Sequence, residues 1–215
     1  MKLKRLLETP LPDDWDATIY NEMVPFTQRL RYAKERAKQV GRGSSRVAFA
    51  IPYQGRSTIL KVATNRKGMA QNDFESQMFD DHYAKSFDIM IPMIDYDEQS
   101  STPTWIHTER AEKVTPNKWK QLAHGYPIED ILSFINKLMG DKFMIFPNIS
   151  EEQFNHMLEE IYEDSDFLNG LFHLVADFDL PIYDFGRLSN WGIYQNRLVI
   201  VDLGLSKEVL RMYYH

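Results

Sequence analysis

The chain has 215 residues, 43% of them hydrophobic and 26% charged, with a formal net charge of −6 and no cysteine. The lack of cysteine excludes disulfides, thiol catalysis and cysteine–zinc sites, and the acidic balance argues against broad attraction to nucleic acid. No apolar run approaches the ~18 residues of a membrane span, and the basic start lacks the apolar stretch of a secretory leader, so a cytoplasmic protein without a membrane anchor is expected.

Residues 1–12, polar and carrying Pro10 and Pro12, read as a tether. Asp13 and Asp14 are placed to cap a helix over 14–39, whose apolar positions Trp15, Ile19, Met23, Phe26, Leu30, Ala33 and Ala37 recur at helical spacing. Pro25 kinks or splits that helix, and Gly41 stops it. A glycine turn, Gly41-Arg-Gly43-Ser44-Ser45, then runs into an apolar strand at 47–51. A turn at 52–57 leads to a returning strand at 58–63. Lys61 lies inside that second strand, either as a solvent-facing edge lysine or with a functional reason to be there.

The spacing predicts a helix over 69–85, with Glu75 on the face of Met78 and Phe79. Strands are expected at 89–94 and 104–108, around a polar loop, followed by an extended connector at 109–116. The second half reads as helices near 117–124, 127–140, 151–163 and 165–178, punctuated by Pro127, Gly140, Pro147, Ser150, Asp164 and Ser165. Ile193-Tyr194 and Leu198–Val201 read as the arms of a hairpin turning at Gln195-Asn196, and a short helix at 206–213 closes the chain.

Three oxygen-bearing side chains gather at the ends of that hairpin: Asp184, Asn190 and Asp202. They suit ordinary turn formation or the hard-oxygen environment of Mg²⁺, which takes one or two protein oxygens together with phosphate oxygens and water. The six histidines show no metal-ligand spacing, and Asn148-Ile-Ser150 matches a glycosylation pattern that is idle without a leader.

Taken in order, a glycine turn, a strand lysine, a helix glutamate, a connector, helices, an Asp-to-Asn loop and a strand-end Asp202-Leu-Gly204 resemble the protein-kinase-like superfamily over roughly 39–205. The chain is similar to a very small version, of the sort found among phage and bacterial kinase-like proteins. The resemblance implies an α+β, bilobed fold: a tether and helix at 1–38, an N-lobe of antiparallel sheet with one helix at 39–111, and a shortened helical C-lobe at 112–215. It implies ATP and Mg²⁺ as cofactors. Gly41, Gly43, Ser44 and Ser45 would lie over the phosphates, Lys61 would bind them, and Glu75 would hold Lys61. Glu109 to Ala111 would flank the adenine, Asn190 and Asp202 would hold the metal, and Asp184 would orient an acceptor hydroxyl.

The chain departs from the family pattern at several points. Arg46 stands at the third glycine and Ala48 at the usual valine; Ile182-Tyr183 replace His-Arg; Asp184 precedes Asn190 by six residues instead of five; and thirteen residues follow Asp202, too few for a full activation segment. Two alternatives stand beside a phosphotransferase of unknown acceptor, and these departures motivate the first of them. One is a pseudokinase that acts by binding a host or bacterial protein, in the host cytoplasm if the chain is phage-encoded. The other is transfer of a different group, such as AMP.

Overall fold

The computed structural model describes residues 11, 15–140, 149–159 and 165–213. The tether other than Leu11, the Asp13-Asp14 cap, Asn148, Asp164 and the end of the helix expected to 163 lie outside them; Leu11 is buried in the core of the first unit. The elements run α1 (Ala17–Glu22), α2 (Phe26–Arg36), β1 (Lys38–Arg42), β2 (Arg46–Tyr53), β3 (Arg56–Ala63), α3 (Arg66–Asp80), α4 (His82–Ser86), β4 (Met93–Tyr96), β5 (Trp105–Thr108), β6 (Glu112–Lys113), α5 (Pro116–Leu122), α6 (Ile128–Leu138), α7 (Glu151–Met157), α8 (Asp166–Asp177), β7 (Trp191–Tyr194), β8 (Arg197–Ile200) and α9 (Lys207–Tyr213). The class is α+β. The chain divides into one compact unit of Met1–Gln77 with Pro92–Arg110 and a second of Met78–Ile91 with Ala111–His215.

The first unit is built on a five-stranded antiparallel sheet in the order β1-β2-β3-β5-β4. Alternation gives the sheet two distinct faces. Val47, Phe49 and Ile51 on β2, Leu60 and Val62 on β3, and Trp105 on β5 share one face and a core with Trp15, Tyr20, Tyr32 and Ala33. The helical stretch before the sheet is therefore part of its core. It is two helices, as Pro25 requires: α1 is capped by Asp16, whose carboxylate accepts from the Thr18 and Ile19 amides, and α2 begins directly after the proline. The rings of Trp15, Tyr20 and Tyr32 pack with centroids 4.7–5.9 Å apart.

The opposite face carries Arg46, Ala48 and Ala50 on β2 against Ala63, Lys61 and Ile59 on β3. Ala48, Ala50 and Ile59 are partly exposed there, and Lys61 is nearly buried.

The sequence places a helix end and a glycine turn where β1 lies. The helix in fact stops at Ala37, and Gly41 sits within the strand opposite Ala48, beside a register shift. Met93–Tyr96 replaces the strand expected at 89–94. The polar loop after it is ordered by buried Asp97, which accepts from the backbone amide of Thr104 at 3.1 Å and from its hydroxyl at 2.6 Å. The helix expected over 69–85 starts three residues earlier and breaks at Asp81, which caps α4.

In the second unit, Ser150 and Ser165 cap α7 and α8, and Thr115 with Pro116 starts α5. The apolar faces of α6 and α8 meet in a core containing Ile131, Leu132, Phe134, Leu171 and Leu174. Trp119 packs edge-on against Trp191 at 4.9 Å. Strands β6, β7 and β8 form a small antiparallel sheet. Gly192 in β7 has no room for a side chain, because a Cβ would collide with Ala111 and Val201. The backbone of Ile89 and Ile91 pairs with Ile200, which explains why that apolar stretch is extended without joining the larger sheet.

Candidate functional site

Two groups of site residues are brought together, one within each unit. In the first, Lys61 Nζ donates to Glu75 Oε2 at 2.8 Å, with both side chains nearly buried at 11% and 6% exposure. The strand lysine thus has its reason: it points to the face where α3 presents Glu75. Arg46 lies on the same face, two residues along β2 from Ala48, the register partner of Lys61. Its Nη1 is 2.7 Å from the other Glu75 oxygen and 3.2 Å from Asn72 Oδ1. One buried carboxylate therefore serves two cations. Sequence reasoning missed this pairing; its only trace was the shared even-residue parity of Arg46 and Ala48 on a strand whose partner carries Lys61.

The glycine turn is tight. Gly43 N–H donates to the Arg46 carbonyl at 2.9 Å, which leaves Gly43 and Ser44 exposed at the tip. Lys67 Nζ donates to Ser44 Oγ at 3.3 Å. Ser45 differs from its expected role: it is buried, and its hydroxyl donates to Gln71 on α3. At the expected adenine-flanking residues, Glu109 is buried and takes Arg56 in a two-point contact, one of them Nε to Oε2 at 3.1 Å. Its amide donates to Pro92 and its carbonyl accepts from the Thr108 hydroxyl at 3.1 Å. Ala111 belongs to the other unit, packed at Gly192.

In the second unit, the segment between Asp184 and Asn190 winds as two 3-10 turns, Ile182–Gly186 and Leu188–Asn190. These take up the six-residue spacing. Asn190 Nδ2 donates to the Asp184 carbonyl at 2.9 Å, so the amide has a fixed orientation with Oδ1 as its remaining acceptor; Ser189 Oγ approaches that oxygen only at 3.4 Å. Trp191 Nε1 ties the same loop down through the Phe185 carbonyl at 2.7 Å. The hairpin register puts Val201 N–H on the Asn190 carbonyl at 2.8 Å, so Asp202 follows directly beyond Asn190's backbone partner.

The donor types present, an amide oxygen and a carboxylate, suit Mg²⁺. Asn190 and Asp202 offer one amide oxygen and one carboxylate, and among the described residues no three His, Asp or Glu groups form a metal cluster of their own. A metal here would draw its other ligands from phosphate and water.

An antiparallel sheet whose strand lysine meets a helix glutamate, and a hairpin with Asn entering its first strand and Asp leaving its second, are consistent with the protein-kinase-like fold that the sequence resembles. No protein-family model matches the chain, and no curated protein matches it. Among solved structures the chain is similar to aminoglycoside phosphotransferase APH(4)-Ia, at 15% identity over 84% of this chain and 71% of that one, with a TM-score of 0.35. It is also similar to a thermostable mutant of that protein in a ternary complex with AMP-PNP and hygromycin B, at 16% identity and a TM-score of 0.34 over 79% of this chain. A further thermostable mutant, in complex with ADP and hygromycin B, aligns at 14% identity and a TM-score of 0.33 over 82% of this chain and 70% of that one. The chain spans 66% of the complex with AMP-PNP, just under two thirds of its length.

Proposed function

We propose that the chain is an ATP- and Mg²⁺-dependent phosphotransferase. The observation that carries this reading is the buried Lys61–Glu75 pair on the half-open face of the sheet. A lysine held there by a carboxylate is a fixed point charge for the α- and β-phosphates, and its orientation is set before a ligand arrives. Bound Mg²⁺ would neutralise phosphate charge, with Asn190 and Asp202 as its protein ligands. Asp184 would accept the proton of an acceptor hydroxyl. Phosphoryl transfer asks little covalent chemistry of the protein, so positioning and electrostatics would supply most of the rate.

The test is thermal stability with ATP, with and without Mg²⁺, on wild type, Lys61→Ala and Asp202→Ala. A ligand that binds only the folded state raises the melting temperature. A Mg²⁺-dependent rise in wild type that both variants lose supports the reading, and ATP turnover then identifies transfer. A rise that Asp202→Ala retains in full removes the metal role.

Ser45 favours a second reading, because its hydroxyl is engaged by Gln71 and not presented at the turn. In that reading the chain is a catalytically impaired member that acts by binding a protein partner. Absence of any shift at millimolar ATP, with stoichiometric recovery of a partner, would select it.

A further inference from the structure

The turn between β1 and β2 is fastened to helix α3 and the residues just before it through its last residue, Ser45, and through Arg46, which opens β2. Thr64 N–H, just before α3, donates to the Ser45 carbonyl at 2.8 Å. The Ser45 hydroxyl donates to Gln71. Gly68, in the first turn of α3, lies so close to Ser45 that a Cβ would run into the Ser45 carbonyl; only glycine permits the approach. Arg46 completes the attachment. Its guanidinium is 8% exposed and reaches both Asn72 and Glu75, one helical turn apart on α3. Asn72 is held in turn, its Nδ2 donating to the Pro103 carbonyl at 3.2 Å.

We propose that Arg46 is a positioning residue for the Lys61–Glu75 pair, and that turn, helix and lysine form one preassembled clamp. The inference rests on the nucleotide-binding reading for its consequence, though not for its geometry. One guanidinium nitrogen, Nη1, meets both acceptors, and the planar group behind it holds that nitrogen more rigidly than the flexible stem of a lysine would. The Arg46 charge lies 2.7 Å from one Glu75 oxygen, and the second oxygen accepts from Lys61. The Ser45–Arg46 end of the turn is thus fixed before any ligand binds, and α3 is held at the sheet. Arg46 acts on the phosphates through Glu75 and Lys61, and touches no reacting atom.

The experiment compares wild type, Arg46→Met, Arg46→Lys, Glu75→Gln and the Arg46→Met/Glu75→Gln double variant. Hydrogen exchange is followed without ligand, and Mg·ATP affinity by titration. Arg46→Met should speed exchange together in the turn and in α3 around Gln71–Glu75, while leaving β4 and β5 protected. Its Mg·ATP affinity should fall by about tenfold, and Arg46→Lys should recover only part of that. In the double variant, loss of Arg46 should add nothing to loss of Glu75.

Faster exchange confined to the turn overturns the proposal, and so does full additivity in the double variant. If wild type binds no Mg·ATP, the nucleotide reading fails on its own, and coupled exchange of turn and helix still decides whether Arg46 fastens them.

Discussion

At the scale of single residues, His107 is the clearest source of pH dependence. It sits in β5 with no solvent exposure. Thr58 Oγ1 donates to the Ile51 carbonyl at 3.1 Å and so accepts from His107 Nε2 at 2.7 Å. That network assigns the proton to Nε2 and leaves Nδ1 a bare, buried acceptor without a hydrogen-bond partner. Protonating Nδ1 would bury a charge. Burial pushes the His107 pKa down from its ordinary 6.5 to about 4, and the nearby Arg56 charge adds to the effect. The unfolded chain therefore takes up this proton first as pH falls. The stabilisation is complete above pH 6.5 and is lost as pH drops toward 4. At ~1.4 kcal/mol per pH unit this amounts to at most a few kcal/mol. His107→Gln, which has no proton to take up, should flatten the melting-temperature profile between pH 6.5 and 4. An unchanged slope would assign the pH dependence to other groups.

At the scale of elements, two hairpins share one device. The β2–β3 turn has Gln54 at φ +48° and Gly55 at φ +75°; the β7–β8 turn has Gln195 at +49° and Asn196 at +63°. Two positive values in a two-residue loop mark a type I′ turn, whose twist matches the strands it joins. Glutamine is a poor occupant of that conformation, and asparagine a good one. Gln54→Asn creates the favoured Asn-Gly pair and should raise stability by about 0.5 kcal/mol, read as a shift in denaturant midpoint without a change in slope. A loss of stability would mean that Gln54 makes contacts worth more than its backbone strain.

Both hairpins were legible in the sequence because their turns and apolar arms are local signals. Strand β1 was not: Lys-Gln-Val-Gly-Arg has little alternation and is a strand only because β2 offers it a partner. The site divides along the same line. Lys61, Glu75, Asn190 and Asp202 were singled out from order and spacing, and Lys61 and Glu75 do pair. Arg46 on Glu75, Ser45 on Gln71 and Arg56 on Glu109 were not found, since each joins residues 26 to 53 positions apart through the register of the sheet or its packing on a helix. The aromatic core between α1, α2 and the sheet was half legible. The helical period marked Trp15 as apolar, and nothing local said which surface it would cover.

At the scale of the whole molecule, the candidate machinery is divided between two compact units. Lys61 and Glu75 lie in the first, and Asp184, Asn190 and Asp202 in the second. Each set is held by bonds within its own unit: the buried ion pair in one, the Asn190–Asp184 bond and the β7–β8 register in the other. Without ligand, a lesion in one set should therefore leave the other intact, because mutations without shared partners act independently. A nucleotide that uses both sets would change this. Hydrogen exchange with Mg·ATP should then slow in β3 and α3 and also across residues 184–204, although no covalent or side-chain change has been made in either. Removing Mg²⁺ with a chelator should release 184–204, whose only proposed link to the nucleotide is the metal, while Lys61 keeps some protection in β3 and α3. Asp202→Ala should reproduce the chelator's pattern. Protection confined to the first unit with Mg²⁺ present would show that the nucleotide is held by Lys61 alone, and would remove Asn190 and Asp202 from the mechanism.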